Sequence, residues 1–206
     1  MFRTIYTESE ELIQKLREEL FYVPRPLMIF KIFGKSIQLP RDKGFFGDVY
    51  EDGSTPLYRY GGDWYPAVEE WTPTLKIIRD KLNETHGQYC NHVVVNRYVN
   101  GSDHIGWHHD KTPDFVDKAS VLTVSFGDDR TFQIRNLKTK EITSFKTGNG
   151  TVSDLDWNTN IYNKHRIVKT AKIVNERISL TYRSIKSRRS KEDNDKDRTR
   201  INEFNK

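Results

Sequence analysis

The sequence predicts an α+β protein with a β-sandwich or jelly-roll core, two helices before that core and a charged tail after it. The second half of the chain carries many short runs of strand-forming residues separated by polar turns, a pattern typical of sandwiches and barrels. The first half carries two segments with apolar residues at helical spacing. A length of 206 residues suits one domain with a sizeable core.

Both helices are predicted in the first 90 residues. The segment TESEELIQKLREEL opens with Thr7 and Glu10 in a capping-box pattern and repeats leucine every four residues, which predicts an amphipathic helix over residues 8–20. A second helix is predicted from Thr72, with Pro73 at its first position. Its core side is expected to carry three apolar residues, Leu75, Ile78 and Leu82.

The strand-like pieces follow the second helix, with no helix expected between them. They are HVVVNRYV, SVLTVSFGDD, TFQIRN, EITSFKT, IYNKHRIVKT and RISLTYRSI. The first of them ends at an Asn100-Gly101 turn, which is a common signal for the end of a strand. These pieces are expected to form the core of the domain.

Residues 186–206 are predicted to be a disordered tail that follows a folded domain of residues 1–185. The tail is poor in apolar residues and holds eight Lys and Arg against five Asp and Glu, so it carries +3 of the net charge of +5. The body is therefore not strongly basic, and affinity for nucleic acid must come from a local patch and the tail. The basic stretch KSRRSK is expected to contact phosphates; the alternatives are a nuclear address and a role in solubility.

The cysteine content and the hydropathy pattern predict an intracellular protein. The one cysteine, Cys90, excludes a disulfide framework and a zinc finger. The first residues lack the features of a secretory signal, and no run of about 18 apolar residues is present to span a membrane. We expect a monomer without a membrane partner. For a eukaryotic source, a nuclear location is the alternative to another intracellular one.

Histidines and carboxylates are concentrated in the segment DHIGWHHD, Asp103 to Asp110. On an extended chain His108 and Asp110 leave the same face, so both can reach one ion. Two histidines and a carboxylate with open positions are typical of non-haem Fe(II) oxygenases, and His165 is the histidine that lies on a separate late strand. The alternative is an ordinary polar turn and a packed histidine.

Two arginines in RISLTYR suggest a site for an anion. Arg177 and Arg183 are six residues apart, so on a strand both face the same side, together with Ser179 and Thr181. A buried guanidinium requires an anionic partner, and its fork matches a carboxylate such as that of a dicarboxylate co-substrate. An exposed strand in a chain with 34 basic residues is the alternative.

The ordered motifs NRY, DHIGWHHD, TVSFGDDRTFQIR, YNKHRIV and RISLTYR resemble those of the AlkB-type 2-oxoglutarate- and Fe(II)-dependent dioxygenases. The resemblance runs from about residue 30 to residue 185 and is closest to the duplex-DNA repair branch. It implies a double-stranded β-helix (jelly roll) core, with Fe(II), 2-oxoglutarate and O2 as cofactors.

The resemblance also assigns the site residues. It implies that iron is bound by His108, Asp110 and His165. Asn96 and Tyr98 would hydrogen-bond 2-oxoglutarate, and Arg177 would pair with its distal carboxylate. The pocket near the metal would be completed by Thr181 and Arg183.

Two further stretches resemble the substrate-binding parts of the duplex-repair branch. KIFGKSIQLPR matches the loop that inserts an aromatic ring into the base stack, with Phe33 as the wedge and Gly34 and Lys35 beside the backbone. A core phenylalanine is the alternative for Phe33. PLYRYGG matches a lid, in which Tyr60 would stack on the extruded base near two further residues, Tyr58 and Arg59.

The sequence departs from the family pattern at two positions. Relatives usually carry an acid two residues after the iron-binding aspartate, where this chain has Thr112; Asp114 is the nearest substitute. Ser179 replaces the usual asparagine between the arginines. The first departure affects the identity of the base and leaves the iron chemistry intact.

These features predict oxidative demethylation of N-alkylated bases in DNA, of the 1-methyladenine and 3-methylcytosine type, as direct-reversal repair. Nucleic acid is the expected partner, with DNA favoured and RNA possible as a substrate. The alternatives are an RNA base demethylase, an inactive nucleic-acid-binding module, and a dioxygenase that acts on a protein or a small molecule.

Overall fold

A computed structural model describes residues 2–4, 9–32, 35–59 and 65–206. Within these ranges the helices are α1 (Ser9–Glu19), α2 (Pro73–His86), α3 (Trp157–Tyr162) and α4 (Lys191–Phe204). The strands before α2 are β1 (Phe2–Thr4), β2 (Ile29–Ile32), β3 (Lys35–Gln38), β4 (Asp42–Gly47), β5 (Thr55–Pro56) and β6 (Glu69–Glu70). The later strands are β7 (His92–Tyr98), β8 (Ile105–His108), β9 (Val121–Gly127), β10 (Arg130–Asn136), β11 (Ile142–Thr147), β12 (Thr151–Leu155), β13 (Asn163–Ile167), β14 (Arg177–Arg183) and β15 (Arg188–Arg189).

Two sheets form the layers of a jelly-roll core. In the described part of the chain the larger sheet has the order β1-β12-β9-β14-β7-β4-β6 and the smaller sheet the order β11-β10-β13-β8. Phe132 of the smaller sheet packs against a buried cluster that contains Phe45, Val94 and Val121 of the larger one. The two sheets therefore share one interior, and the expected strand-rich core is confirmed.

The helices α1 and α2 cover the outer face of the larger sheet. Leu16 and Leu75 pack there with Leu180 and Tyr182 of β14 in one buried cluster, and the Tyr182 hydroxyl donates to the Leu75 carbonyl oxygen at 2.9 Å. Each fully buried side chain of this size contributes about 1.5–3 kcal/mol relative to exposure. Since side chains alternate along a strand, this packing turns the intervening residues of β14 toward the smaller sheet.

The prediction for α2 is confirmed in detail. The Thr72 hydroxyl caps the helix by accepting from the Leu75 amide at 3.3 Å, and Gly87 ends it in a left-handed conformation with φ +60°. The three predicted core residues, Leu75, Ile78 and Leu82, are buried. Leu16 in α1 and Leu20 directly after it are buried, whereas the capping residue Thr7 lies outside the described residues.

The prediction of a disordered tail is wrong, because residues 191–204 form α4. Ser190 caps this helix by accepting from the Asp193 amide at 3.1 Å. Ile201 is buried in the core, and the Asn194 side chain donates to the Thr55 hydroxyl at 2.9 Å. Composition predicted disorder because the segment is charged, but one buried isoleucine and a few specific polar contacts are sufficient to hold the helix.

The basic side chains of this segment also make contacts within the chain. Arg189 pairs with Asp197, and Arg198 lies 3.2 Å from the Glu69 carboxylate. Lys191 pairs with Asp195 at 2.6 Å. Part of the positive charge expected to contact phosphates is therefore already balanced.

A second correction concerns α3, which lies between β12 and β13, where the sequence predicted no helix. Asp156 begins it by accepting from the Thr159 amide at 2.8 Å. The helix has only six residues, which is too short for a clear periodic signal. None of the helices in the described ranges combines the length and apolar character that a bilayer crossing requires.

Candidate active site

A cavity of about 810 Å³ lies between the two sheets. All eight residues that the sequence predicted for iron and co-substrate line its wall, together with one residue predicted for the substrate. They are Asn96, Tyr98, His108, Asp110, His165, Arg177, Thr181, Arg183 and Tyr58. These predicted residues are up to 125 positions apart in the chain, from Tyr58 to Arg183.

The structure brings His108, Asp110 and His165 together into one cluster. His108 ends β8 and His165 lies on the paired strand β13, where the two residues are directly opposite each other. One ligand atom from each of the three side chains lies within 4.8 Å of the others. Two imidazoles and a carboxylate at this spacing form a donor set that fits an Fe(II) ion with open coordination positions.

Protonation of the histidines also fits metal binding. The Nδ1 atom of His108 is 2.9 Å from the Gly106 carbonyl oxygen, and because a carbonyl only accepts, Nδ1 carries the proton and Nε2 is free to bind an ion. Burial lowers the pKa of His108 to about 3 and also lowers the pKa of His165. Both rings are therefore neutral at pH 7, as metal ligands must be.

Asp110 is held from three directions. Arg183 Nη2 lies 3.1 Å from each carboxylate oxygen, and the Tyr58 hydroxyl donates to one of them at 3.2 Å. Asn160 of α3 accepts from the Asp110 amide and donates to its carbonyl, both at 2.9 Å. Burial opposes ionisation of Asp110, but the charge and hydrogen bond of Arg183, together with the two neighbouring histidines, outweigh it and hold the pKa of the carboxyl well below its usual range.

The Arg177 side chain is buried at the other end of the cavity. Its Nε donates to the Thr147 carbonyl at 3.0 Å and its Nη2 to the Ser125 hydroxyl at 2.7 Å. Its Nη1 has no hydrogen-bond acceptor among the described residues. Arg177 also takes no part in the salt bridges between those residues. Burial lowers the pKa of Arg177 to about 10, so it stays charged at pH 7. A carboxylate of a bound dicarboxylate would fit this position.

The remaining residues predicted for 2-oxoglutarate line the wall between these two ends. Asn96 accepts through Oδ1 from Arg41 Nε at 2.9 Å. The Tyr98 ring centre lies 5.2 Å from Cζ of Arg177 and 5.6 Å from Cζ of Arg130. Arg130 is fully buried and donates to the carbonyls of residues 100, 101, 103 and 168, which fixes the loop before β8.

Sequence reasoning missed Arg41, Arg130 and Asn160. Arg41 and Arg130 lie inside two of the stretches that carry the family resemblance, but neither was singled out there, and Asn160 lies in none of them. Each of the three acts through a contact with a residue distant in the chain. Asn160 could have been suspected only if the short helix around it had been recognised. The tertiary contacts therefore reveal the part of the site that supports the predicted ligands.

The structure describes only some of the residues predicted for substrate contact. Phe33, Gly34 and Tyr60 lie outside the described residues. Lys35 is exposed at the start of β3, whose residues Ile37 and Gln38 line the cavity. Tyr58 is buried against Asp110.

The structure also describes Thr112, where relatives usually carry an acid, and Asp114, the nearest substitute for that acid. The Arg59 amide donates to the Asp114 carboxylate at 2.9 Å, and the Arg59 side chain forms an ion pair with the same group. Neither Asp114 nor Thr112 is part of the cavity wall. Asp114 therefore anchors the segment at Arg59 and does not replace the missing acid in the cavity.

Comparisons with known proteins agree with this geometry. Residues 5–183 match the family model of the 2OG-Fe(II) oxygenase superfamily. The chain is 30% identical over 186 residues to the DNA oxidative demethylase ALKBH2 of Bos taurus and to that of Homo sapiens, an alignment that covers 86% of this chain. It spans 65% of the bovine protein and 69% of the human protein.

Two more distant proteins are also similar. The human alpha-ketoglutarate-dependent dioxygenase alkB homolog 3 is 25% identical over 157 residues, which cover 72% of this chain and 52% of that protein. The solved structure of OsALKBH1 superimposes with a TM-score of 0.59 at 14% identity, covering 88% of this chain and 93% of that one. At this identity the structural likeness supports the fold alone.

Proposed function

Because the chain belongs to the 2OG-Fe(II) oxygenase superfamily and, within it, to the AlkB-type dioxygenases related to the DNA-repair branch, we propose that it demethylates N-alkylated bases in DNA by oxidation. The cofactors of this family are Fe(II), 2-oxoglutarate and O2. The observation that carries the proposal is one cavity that joins the His108–Asp110–His165 cluster to the buried Arg177 guanidinium. The first lesions to test are 1-methyladenine and 3-methylcytosine.

Each residue of the cavity has a distinct role in this proposal. His108, Asp110 and His165 would hold Fe(II), which with 2-oxoglutarate and O2 supplies the oxidising chemistry that hydroxylates an N-methyl group. Arg177 would bind the distal carboxylate of 2-oxoglutarate, with Asn96 and Tyr98 along its length. Thr181 and Arg183 would close the pocket near the metal, where Arg183 also orients Asp110.

The proposal includes extrusion of the base from the DNA helix. A base must leave the stack to reach a site between two sheets, and unstacking costs a few kcal/mol. Aromatic contacts offset such a cost. Phe33 as the inserted wedge and Tyr60 as the stacking partner would supply them, with Gly34, Lys35 and Arg59 beside the DNA backbone.

The test is an activity assay on matched DNA and RNA oligonucleotides that carry 1-methyladenine or 3-methylcytosine. The protein is loaded with Fe(II) without oxygen and then given 2-oxoglutarate and O2. Mass spectrometry follows loss of the methyl group, and succinate is measured in parallel. His108→Ala should lower demethylation more than about 100-fold because a metal ligand is lost, whereas His86→Ala, at the end of α2, should leave it unchanged.

The possible outcomes separate the alternatives. Demethylation that depends on His108 and is faster on DNA supports the proposal, whereas faster turnover of the RNA would favour an RNA demethylase. Succinate without demethylation would show an oxygenase with another type of substrate. Oligonucleotide binding with neither product would indicate a binding module.

A further inference from the structure

The C-terminal segment, residues 184–206, lies beyond the part of the chain that matches the family model, which ends at residue 183. It nevertheless packs into the core that surrounds the candidate site. Ile201 of α4 belongs to the buried cluster that also contains Tyr58 and Phe115. A segment outside the family core is therefore in contact with the residues around the candidate metal ligands.

Strand β5 depends on this segment for its place in the fold. In the described part of the chain its strand partner is β15. Pro56 of β5 has no amide hydrogen to donate, so the pairing supplies few backbone hydrogen bonds. The Leu57 amide, directly after β5, donates to the Ser187 carbonyl at 2.9 Å. Because its backbone pairing is short, β5 needs the side chains of the C-terminal segment for further support.

A single side chain of α4, that of Asn194, supplies much of this support. It is fully buried, and its Nδ2 donates to the Thr55 hydroxyl of β5 at 2.9 Å. Its Oδ1 accepts from the Val68 amide at 3.4 Å. Arg189 adds hydrogen bonds to the carbonyls of residues 65 and 66. The C-terminal segment therefore holds the chain at two places, one of which is β5.

Tyr58, two residues after β5, connects this attachment to the candidate metal site. Its hydroxyl donates to Asp110 at 3.2 Å and accepts from the Lys111 amide at 3.3 Å. Both distances are at the long end of the range for hydrogen bonds, so little further displacement is tolerated. Movement of Tyr58 by a fraction of an ångström would therefore release Asp110 from one of its anchors.

We propose that Asn194 is a positioning residue for the candidate iron site and acts through β5 and Tyr58 on Asp110. The inference rests on the proposed function for the assignment of Asp110 as a metal ligand. The Tyr58 ring also packs against Phe115 and Arg183. Loss of the hold on β5 should therefore displace the hydroxyl without removing the ring, and its effect should be smaller than that of deleting the hydroxyl.

Anaerobic Fe(II) titration of the full chain tests this inference. Asn194→Ala removes the hydrogen bond to β5, and the Fe(II) affinity should fall about three- to fivefold, less than the tenfold typical of a group that contacts a metal ligand directly. The matched control is Asn202→Ala, an exposed asparagine on the same helix, which should bind Fe(II) like the unaltered protein.

A pair of variants at Thr55 tests the same hydrogen bond from its other end. Thr55→Val keeps the shape of the side chain and deletes the hydroxyl, so the Fe(II) affinity should fall as in Asn194→Ala. Thr55→Ser keeps the hydroxyl and should retain the affinity of the unaltered protein. This pair also tests the inference if Asn194→Ala fails to fold.

A double-mutant cycle separates positioning from a general loss of stability. If Asn194 acts through the Tyr58 hydroxyl, Asn194→Ala should cause no further loss of Fe(II) affinity in a Tyr58→Phe background. A purely structural role would lower the affinity by the same factor in both backgrounds. The titrations are made at a temperature at which circular dichroism shows each variant to be folded.

Three results would overturn the inference. Unchanged Fe(II) affinity in folded Asn194→Ala and Thr55→Val would show that β5 does not act on the metal site. An equal loss with and without the Tyr58 hydroxyl would exclude the route through Tyr58. Both of these results leave the proposed function intact. Fe(II) binding that is absent from the unaltered protein, or that survives in His108→Ala, would refute the inference together with the metal site of the proposed function.

Discussion

Asp110 shows how individual contacts prepare a metal ligand. A carboxylate can rotate about its side-chain bonds, and an unfixed ligand loses affinity because it must be ordered on binding. Here Arg183 and Tyr58 hold the two oxygens, while Asn160 fixes the backbone. The geometry of the cluster therefore depends on three residues that are not ligands in the proposal.

Removal of the Tyr58 hydroxyl should weaken metal binding without unfolding the protein. Tyr58→Phe keeps the ring, which packs 5.6 Å from that of Phe115. It deletes the hydrogen bond that the hydroxyl donates to Asp110 and the one that it accepts from the Lys111 amide. We expect Fe(II) affinity to fall about tenfold, since groups that orient metal ligands typically contribute this much. Anaerobic Fe(II) titration measures the change.

The matched control for this measurement is Tyr162→Phe, because the Tyr162 side chain is 63% exposed. Its Fe(II) affinity should equal that of the unaltered protein. If both variants bound Fe(II) equally well, the Tyr58 hydroxyl would have no part in orienting Asp110.

Strand β14 shows how one element serves both the core and the site. Ile178, Leu180 and Tyr182 are buried toward the helices, so the arginines at its two ends face the cavity. A shift of one residue in the pairing of β14 would exchange these two faces. Burial of the apolar face therefore fixes the direction of Arg177 and Arg183.

The helix α4 should contribute to stability through its one buried apolar side chain. Ile201 is 3% exposed and packs in the same cluster as Val94 and Phe115. We expect Ile201→Ala to lower the free energy of unfolding by about 2–4 kcal/mol, because it removes buried methyl groups and leaves a cavity. Urea denaturation measures the loss.

Phe204→Ala is the control on the same helix, since the Phe204 side chain is 48% exposed. Its free energy of unfolding should change by less than about 1 kcal/mol. Equal, small losses in both variants would show that α4 is not packed on the domain in solution.

Considered as a whole, the protein consists of two sheets with a charged cavity between them, and its stability should depend on what the cavity binds. A ligand that binds the folded chain at 100 times its dissociation constant adds about 2.7 kcal/mol to the free energy of unfolding. For a chain of 206 residues this corresponds to a rise in melting temperature of roughly 5–10 °C.

We therefore expect 2-oxoglutarate with Fe(II) to raise the melting temperature under anaerobic conditions. Arg177→Met should lower the affinity for 2-oxoglutarate about 10- to 100-fold, because a charge-assisted contact is lost. Its rise in melting temperature at the same 2-oxoglutarate concentration should be correspondingly smaller. Thermal melts with Fe(II) alone and with both ligands separate the two contributions.

The control is Arg200→Met on the exposed side of α4. It should respond to 2-oxoglutarate like the unaltered protein. A full response in Arg177→Met would mean that the distal carboxylate is bound elsewhere in the cavity.

The strands and the predicted ligands could be found in the sequence because their signals are local. Alternation along RISLTYR indicates which residues share a face, and the spacing of His108 and Asp110 indicates that both can reach one ion. The helix α2 was equally clear because its cap, its first proline and its apolar spacing agree. Each of these features depends on residues within a few positions of one another.

The tail shows where local signals fail. Its charged composition is also that of disordered segments, whereas the helix observed there depends on contacts of Ile201 and Asn194 with residues more than 100 positions away. The contacts that hold Asp110 also depend on distant residues, because Tyr58 and Asn160 are 52 and 50 positions away from it in the chain.

The amino-acid order therefore specifies the jelly-roll class, the candidate iron ligands and the arginines that face the cavity. Only when the two sheets fold together is Asp110 held in place and α4 packed on the domain. The same folding brings Arg41 and Lys43 beside the metal cluster. The physical reason is that periodicity and spacing report which side of an element a residue occupies. The partners across a cavity, and the balance of charge within it, are set only when distant segments pack together.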